Sequence, residues 1–195
     1  MIIVLIRHFL TKGNEERRYV GRTDESIVPE RIHEQRCECY PSVEAIVSSP
    51  MKRCIETASY VYKGQNPYVA EELKECDFGL FEYKNYEELK HYSAYQTWLH
   101  SGGTIPFPGG ESQETFQNRC IIGFEKAVEY LIQCNVKRAA FVVHGGTIMS
   151  ILSAYSDPPS MFYDWQAPNG GGYIAYLDET AWEQDEKRVV EIKRL

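Results

Sequence analysis

A three-layer α/β sandwich, with a mostly parallel central sheet and helices on both faces, is what the 195-residue sequence predicts. Three observations carry this. Apolar runs at 2–6 and 139–143 have the pattern of buried strands, and 43–47 reads as another strand. Stretches of helical period alternate with these runs, as parallel strands require. No internal repeat, low-complexity tract or linker interrupts the alternation. Residues 1–195 are therefore expected to form one domain, with a small cap-like insertion around 76–110.

In chain order, Ile2 to Ile6 is the first strand, β-branched throughout except for Leu5. A polar, glycine-containing loop runs from Thr11 to Pro29, and residues 30–40 are expected to be helical. Val43 to Val47 is a second strand. Ser49-Pro50 then reads as a helix start, with Ser as N-cap and Pro at the first helical position; this helix extends to about Tyr62. Residues 66–84 read as an extended segment and loop, and a helix is expected near 85–99. After the turn-rich stretch from Ser101 to Gly110, Glu111-Ser112 leads a long amphipathic helix to about Gln133. A third buried strand, Ala139 to Val143, ends in His144-Gly145-Gly146, and Thr147 opens another helix. Tyr173 to Leu177 and Val189 to Ile192 read as two strands joined by an acidic turn, at a sheet edge.

Apolar residues form 43% of the chain and charged residues 25%, as in ordinary globular proteins. The net charge of −7, with both signs interleaved, argues against the basic stripe of a nucleic-acid surface. A few convergent arginines can still make a positive pocket on such a protein. No stretch approaches the ~18 apolar residues of a membrane helix, and Ile2–Ile6 lacks the basic flank of a leader. Cys37, Cys39, Cys54, Cys76, Cys120 and Cys134 have no zinc-site spacing and read as reduced thiols, so a cytoplasmic location is expected.

In open α/β sheets, ligands bind beyond the carboxyl ends of the strands. Three predicted strands deliver polar groups there: Arg7-His8 from the first, Ser48-Ser49 and then Arg53 from the second, and His144 from the third. Guanidinium forks hold phosphate oxygens bidentately. A neutral imidazole beside them can attack phosphorus, because the arginines offset phosphate charge and depress the imidazole's pKa. Taken singly, a strand-end histidine is more often structural and Arg53 is an ordinary helix residue; the set makes the site.

Several segments carry a resemblance in a fixed order. They are Leu5-Ile6-Arg7-His8-Phe9-Leu10-Thr11-x-x-Asn14, Ser48-Ser49-Pro50-Met51-Lys52-Arg53-x-x-x-Thr57-Ala58 and Leu73-x-Glu75-x-x-Phe78-Gly79-x-Phe81-Glu82, then Pro108-Gly109-Gly110-Glu111-Ser112 and Val143-His144-Gly145-Gly146. Together they resemble the histidine phosphatase superfamily, which includes the cofactor-dependent phosphoglycerate mutases. The resemblance implies the phosphoglycerate mutase-like fold and a phosphoric monoester hydrolase. It implies His8 as the phosphorylated nucleophile, Arg7, Arg53 and His144 as the rest of the phosphate pocket, Glu75 as proton donor, and Asn14 as a polar partner near the phosphate. Glu82 occupies a recurring position for which a structural role is expected, while His33, His91 and His100 match nothing. The family usually has glycine where Phe9 stands, so Phe9 is expected to line or narrow the substrate pocket.

Tyr19-Val20-Gly21-Arg22-Thr23-Asp24 and Pro168-Asn169-Gly170-Gly171 look more like the α-ribazole phosphatase branch, which removes a 5′-phosphate during assembly of the cobalamin lower loop. Arg22 and Asn169 would then be substrate contacts, and Tyr19, Phe81 and Trp98 could stack on a nucleoside-like base or simply pack the cap. The alternatives are phosphoglycerate mutase activity and a catalytically weak protein that binds phosphorylated ligands. The resemblance implies no cofactor and no metal. The expected partner is a small phosphorylated metabolite, with neither nucleic acid nor membrane, and a homodimer is compatible.

Overall fold

The computed structural model of the chain describes residues 1–35 and 40–195. The helices are α1 (Lys12–Glu15), α2 (Ile32–Gln35), α3 (Lys52–Val61), α4 (Tyr86–Leu89), α5 (Ser93–His100), α6 (Gln113–Gln133), α7 (Gly145–Tyr155) and α8 (Glu179–Glu183). The strands are β1 (Ile2–Arg7), β2 (Ala45–Ser48), β3 (Tyr68–Val69), β4 (Arg138–Val143), β5 (Gly172–Leu177) and β6 (Val189–Arg194). They form one sheet in the order β3-β2-β4-β1-β5-β6. The first four in that order run parallel, and β5 and β6 close one edge antiparallel.

Alternation along β1 builds the layers. Ile3 and Leu5 face a core with Phe124, Val128, Ile148 and Ile151 of α6 and α7, whereas Val4 and Ile6 face Cys54 and Ala58 of α3. These four β1 side chains are 0–1% exposed, and each such burial contributes about 1.5–3 kcal/mol. β1 and β4 thus form the rigid centre from which the site projects. Phe81, Leu89 and Tyr95 gather a separate aromatic cluster with Tyr19, Phe78, Trp98 and Phe107. Among the described residues no helix is long and apolar enough to cross a membrane.

Several elements differ from the sequence reading. α3 starts at Lys52 with Met51 as N-cap, not at Ser49-Pro50. The Ser49 hydroxyl is instead bonded to His144 and, at 3.4 Å, to the Met51 N–H, while Asp24 accepts from the Lys52 N–H at 2.7 Å. The helix expected near 85–99 is broken into α4 and α5; Gln96 Nε2 satisfies the carbonyl of Lys90 at the break. α7 starts two residues before Thr147, with His144 as N-cap. The acidic turn near the end contains α8, whose first N–H groups are accepted by Asp178. The Thr11–Pro29 loop contains α1, closed by a capping box between Thr11 and Asn14. Of the helix expected at 30–40, the turn Pro29–Arg31 and α2 are present, and positions 36–39, with Cys37 and Cys39, lie outside the described residues. Cys54, Cys76, Cys120 and Cys134 are free thiols.

Candidate active site

Pairing sets the level of the strand ends. Arg7 lies opposite Val143 and Ser48 opposite Val142, so the residues that follow emerge together at one sheet edge. The His8 N–H donates to Val143 O at 2.9 Å and the Ser49 N–H to Val142 O at 3.1 Å. Arg53, in the first turn of α3, reaches the same place. The His8 and His144 rings meet edge-on, with centroids 5.2 Å apart. The four residues singled out at the strand ends therefore share one site.

Hydrogen bonds fix both imidazoles. His8 Nδ1 lies 2.6 Å from the Phe9 carbonyl oxygen, which can only accept, so Nδ1 carries the proton and Nε2 keeps its lone pair. His144 is the opposite tautomer. Arg53 Nε donates to its Nδ1 at 3.3 Å, and its Nε2 donates to Ser49 Oγ at 2.8 Å. Burial, then Arg53, hold both rings' pKa values well below the usual imidazole value, with Arg7 adding to the effect. Both are neutral near pH 7.

The two arginines are held differently. Arg53 is fully buried, and its guanidinium donates to the carbonyls of Thr23 at 2.8 Å and Gly21 at 2.9 Å. Glu82 Oε1 grips that same loop by accepting from Gly21 N and Thr23 N, each at 2.9 Å. This is the structural role expected of Glu82: it holds the carbonyls that hold Arg53. Arg7 donates through Nη1 to Ala167 O at 2.8 Å, while its buried Nε has no partner. A buried, unpaired guanidinium N–H beside two neutral imidazoles is suited to an incoming anion.

Glu75 stands against the N-terminus of α7. Its Oε1 accepts from Cys76 N at 3.0 Å and its Oε2 from Gly146 N at 3.3 Å. Burial pushes this carboxyl above the usual carboxylate range, outweighing those bonds and the nearby Arg53 and Arg7 charges. Position 146 must be glycine for this contact, since a Cβ there would lie 2.5 Å from Glu75 Oε1. Arg7, Glu75, Gly145 and Gly146 line a cavity of about 400 Å³ whose remaining wall is largely aromatic. That wall includes Tyr19, Phe78, Trp98, Phe107 and Phe162.

Other expected site residues stand elsewhere. Phe9 does not line the cavity: its ring is fully buried against Tyr60 and Gly170, and its N–H is tied to Thr57. Tying the backbone in this way turns the side chain into the protein, so the substrate pocket is not narrowed by it. Asn169 is not placed along the cavity wall. Its Nδ2 donates to His8 O at 3.0 Å and Asn14 Oδ1 at 3.2 Å, so both asparagines brace the His8 backbone from one side. Arg22 is largely exposed and pairs with Asp77 at 3.5 Å, beside a different cavity that shares only Glu75 with the first. Tyr19 and Trp98 do line the main cavity, whereas Phe81 is packed beneath them. His33, His91 and His100 are exposed.

The sequence reading missed Arg119. It forms a two-pronged ion pair with Glu111 and donates to three carbonyls around Glu75. The Glu111 of the Pro-Gly-Gly-Glu-Ser segment was the available signal, but its partner lies eight residues on, inside a helix.

Comparison with known proteins agrees with this arrangement. The family model for the histidine phosphatase superfamily (branch 1) matches residues 3–189. A bifunctional protein of Mycobacterium tuberculosis is 27% identical over 146 residues; the match covers 67% of the chain but 40% of that relative. The chain thus matches about two fifths of the length of such relatives. A 2,3-bisphosphoglycerate-dependent phosphoglycerate mutase of Cytophaga hutchinsonii is 25% identical over 165 residues, covering 77% of this chain and 75% of the relative. Among solved structures, an α-ribazole phosphatase from Shigella flexneri superposes with a TM-score of 0.76 at 19% identity, covering 92% of each chain. A phosphoglycerate mutase from Thermus thermophilus superposes with a TM-score of 0.68 at 27% identity, covering 100% and 98%. The fold is the phosphoglycerate mutase-like α/β fold.

Proposed function

The chain belongs to the histidine phosphatase superfamily, and on that footing we propose that it is a phosphomonoesterase acting on a small phosphorylated metabolite through a phosphohistidine at His8. One observation carries the reading above all. His8 presents an unprotonated Nε2 because Nδ1 is committed to the Phe9 carbonyl, within a buried cluster holding two guanidiniums.

In the first step His8 Nε2 attacks phosphorus in line, and the P–O bond to the alcohol breaks. Glu75, a neutral acid in its raised-pKa state, gives its proton to the departing oxygen. In the second step Glu75, now a carboxylate, takes a proton from water as the water oxygen attacks phosphorus and His8 leaves. Inorganic phosphate, restored His8 and protonated Glu75 result. Arg7 and Arg53 balance charge on the phosphoryl oxygens throughout. His144, hydrogen-bonded to Ser49 and Arg53, completes the pocket.

The cavity wall supports a flat, uncharged leaving group. Arg7 is the sole cation among the described residues lining it, and the Trp98 Nε1–H is buried without a partner. Such a wall offers little to the carboxylate of phosphoglycerate, and it suits an aromatic nucleoside such as that of α-ribazole 5′-phosphate. Free, reduced thiols fit a cytoplasmic setting.

A panel of α-ribazole 5′-phosphate, phosphoserine, 3-phosphoglycerate and phenyl phosphate tests the reading. Phosphate release with the highest kcat/KM on the two substrates that carry an aromatic ring, α-ribazole 5′-phosphate and phenyl phosphate, is expected. Interconversion of 2- and 3-phosphoglycerate without phosphate release would contradict it, as would ligand binding with no turnover at any pH. Gly146→Ala is expected to lower kcat/KM on phenyl phosphate about 10–100-fold, because the added methyl displaces the Glu75 carboxyl.

A further inference from the structure

We propose that Arg119 and Glu111 are positioning residues for the proton donor, an inference that rests on Glu75 acting as the general acid. Glu75 lies in an irregular segment with no helix or strand of its own between Leu73 and Phe78. Its backbone carbonyls must find donors elsewhere, and one guanidinium supplies them. Arg119 Nη1 donates to Glu72 O at 2.7 Å and Lys74 O at 3.0 Å, and Nη2 donates to Glu75 O at 3.3 Å.

Glu111 aims that guanidinium. Arg119 Nε donates to Oε1 at 2.9 Å and Nη2 to Oε2 at 2.7 Å, the parallel geometry that gives an ion pair direction as well as energy. Glu111 also holds the far end of the segment. Its Oε2 accepts from Asp77 N at 2.9 Å, and its own N–H donates to Asp77 O at 2.9 Å. Residues 72 to 77 are thus fastened on both sides of Glu75 by a single acid–base pair. Arg119 also lies over the Phe116 ring, 5.4 Å from its centroid, and Phe116 packs against the Gly146 that donates to Glu75. The chain of contact runs from a helix side chain, through backbone, to the position of one carboxyl group. Neither Arg119 nor Glu111 lines the aromatic cavity; both line the neighbouring cavity that shares Glu75 with it, and the effect expected of them is on proton delivery.

The test compares two esters of similar shape. Phenyl phosphate needs its leaving oxygen protonated, whereas 2,4-dinitrophenyl phosphate releases a phenolate stable enough to depart as the anion. The value of kcat/KM reports only steps up to transfer onto His8, which removes the later hydrolysis from the comparison. Arg119→Met and Glu111→Gln are each expected to lower kcat/KM on phenyl phosphate about 10–100-fold, and on the dinitrophenyl ester by less than about threefold. Arg119→Lys, which keeps the charge but not the fork, should fall between wild type and Arg119→Met. Glu75→Gln is the reference and should show the same bias more strongly. Equal losses on both esters in folded Arg119→Met and Glu111→Gln, or no loss on either, would overturn the positioning role. If Arg119→Met does not fold, the isosteric Glu111→Gln decides alone. Absence of leaving-group bias in Glu75→Gln itself would instead remove Glu75 as the acid.

Discussion

His8→Ala is expected to abolish phosphatase turnover, lowering kcat by on the order of 10³–10⁶-fold while the protein stays folded. The magnitude follows from the loss of the nucleophile: the residual pocket can still bind phosphate but has no atom to accept it. Folding should survive because the local backbone is secured independently. His8 N–H is bonded to Val143, Phe9 N–H to Thr57 and His8 O to Asn169, and none of these uses the ring. The ring also carries a stability signature. Because its folded pKa lies below the unfolded value, the unfolded chain binds more protons in mildly acidic solution. Stability that is present above about pH 6.5 is therefore lost as the pH falls below it, for His8 and His144 alike. Melting curves of wild type between pH 7.5 and 5 should show this decline, and His8→Ala should flatten part of it. The variant retaining most of its turnover would remove His8 from the mechanism.

Glu75→Gln is expected to lower kcat/KM on esters with poor leaving groups by about 10²–10⁴-fold. It should also reshape the pH dependence. On the proposed mechanism, activity requires His8 neutral and Glu75 protonated. With His8 lowered from 6.5 and Glu75 raised from 4.5, kcat/KM is bell-shaped, and its fall on the alkaline side belongs to Glu75. In Glu75→Gln that alkaline limb should disappear. Stability moves the other way. A carboxyl whose folded pKa is raised contributes stability below its unfolded value, and this is lost as the pH rises through the folded value. Glu75→Gln removes that titration, so its melting temperature should decline less than that of wild type as the pH rises. A fully active Glu75→Gln with an unchanged profile would assign the proton transfer to another group.

The parts of this molecule that were legible in the sequence are those written in local pattern. The β-branched run before Arg7 and the apolar run before His144 announced central strands, and parallel pairing made their polar ends converge. Arg53 was legible from the motif it sits in. What the pattern could not convey was side-chain direction once the strand has ended. Phe9 follows His8 in sequence, yet its N–H bond to Thr57 turns the ring into the interior. Ser49 reads as a helix cap, but His144, 95 residues away, claims its hydroxyl. Asn169 reads as a contact for substrate, but its amide is spent on His8 O and Asn14. Arg119 is the clearest case. It occupies an unremarkable helix position, and its value comes from three carbonyls 44 to 47 residues earlier in the chain. Interactions of that range leave no local period to read.

The stereochemical course at phosphorus tests the phosphohistidine most directly, whether or not the intermediate accumulates. Hydrolysis of a phosphorothioate ester whose two non-bridging oxygens differ in isotope, in water of the third isotope, should give chiral thiophosphate with overall retention of configuration, since two in-line transfers each invert the centre. Overall inversion would mean that water attacks the substrate itself, and His8 would then have no covalent part in the reaction.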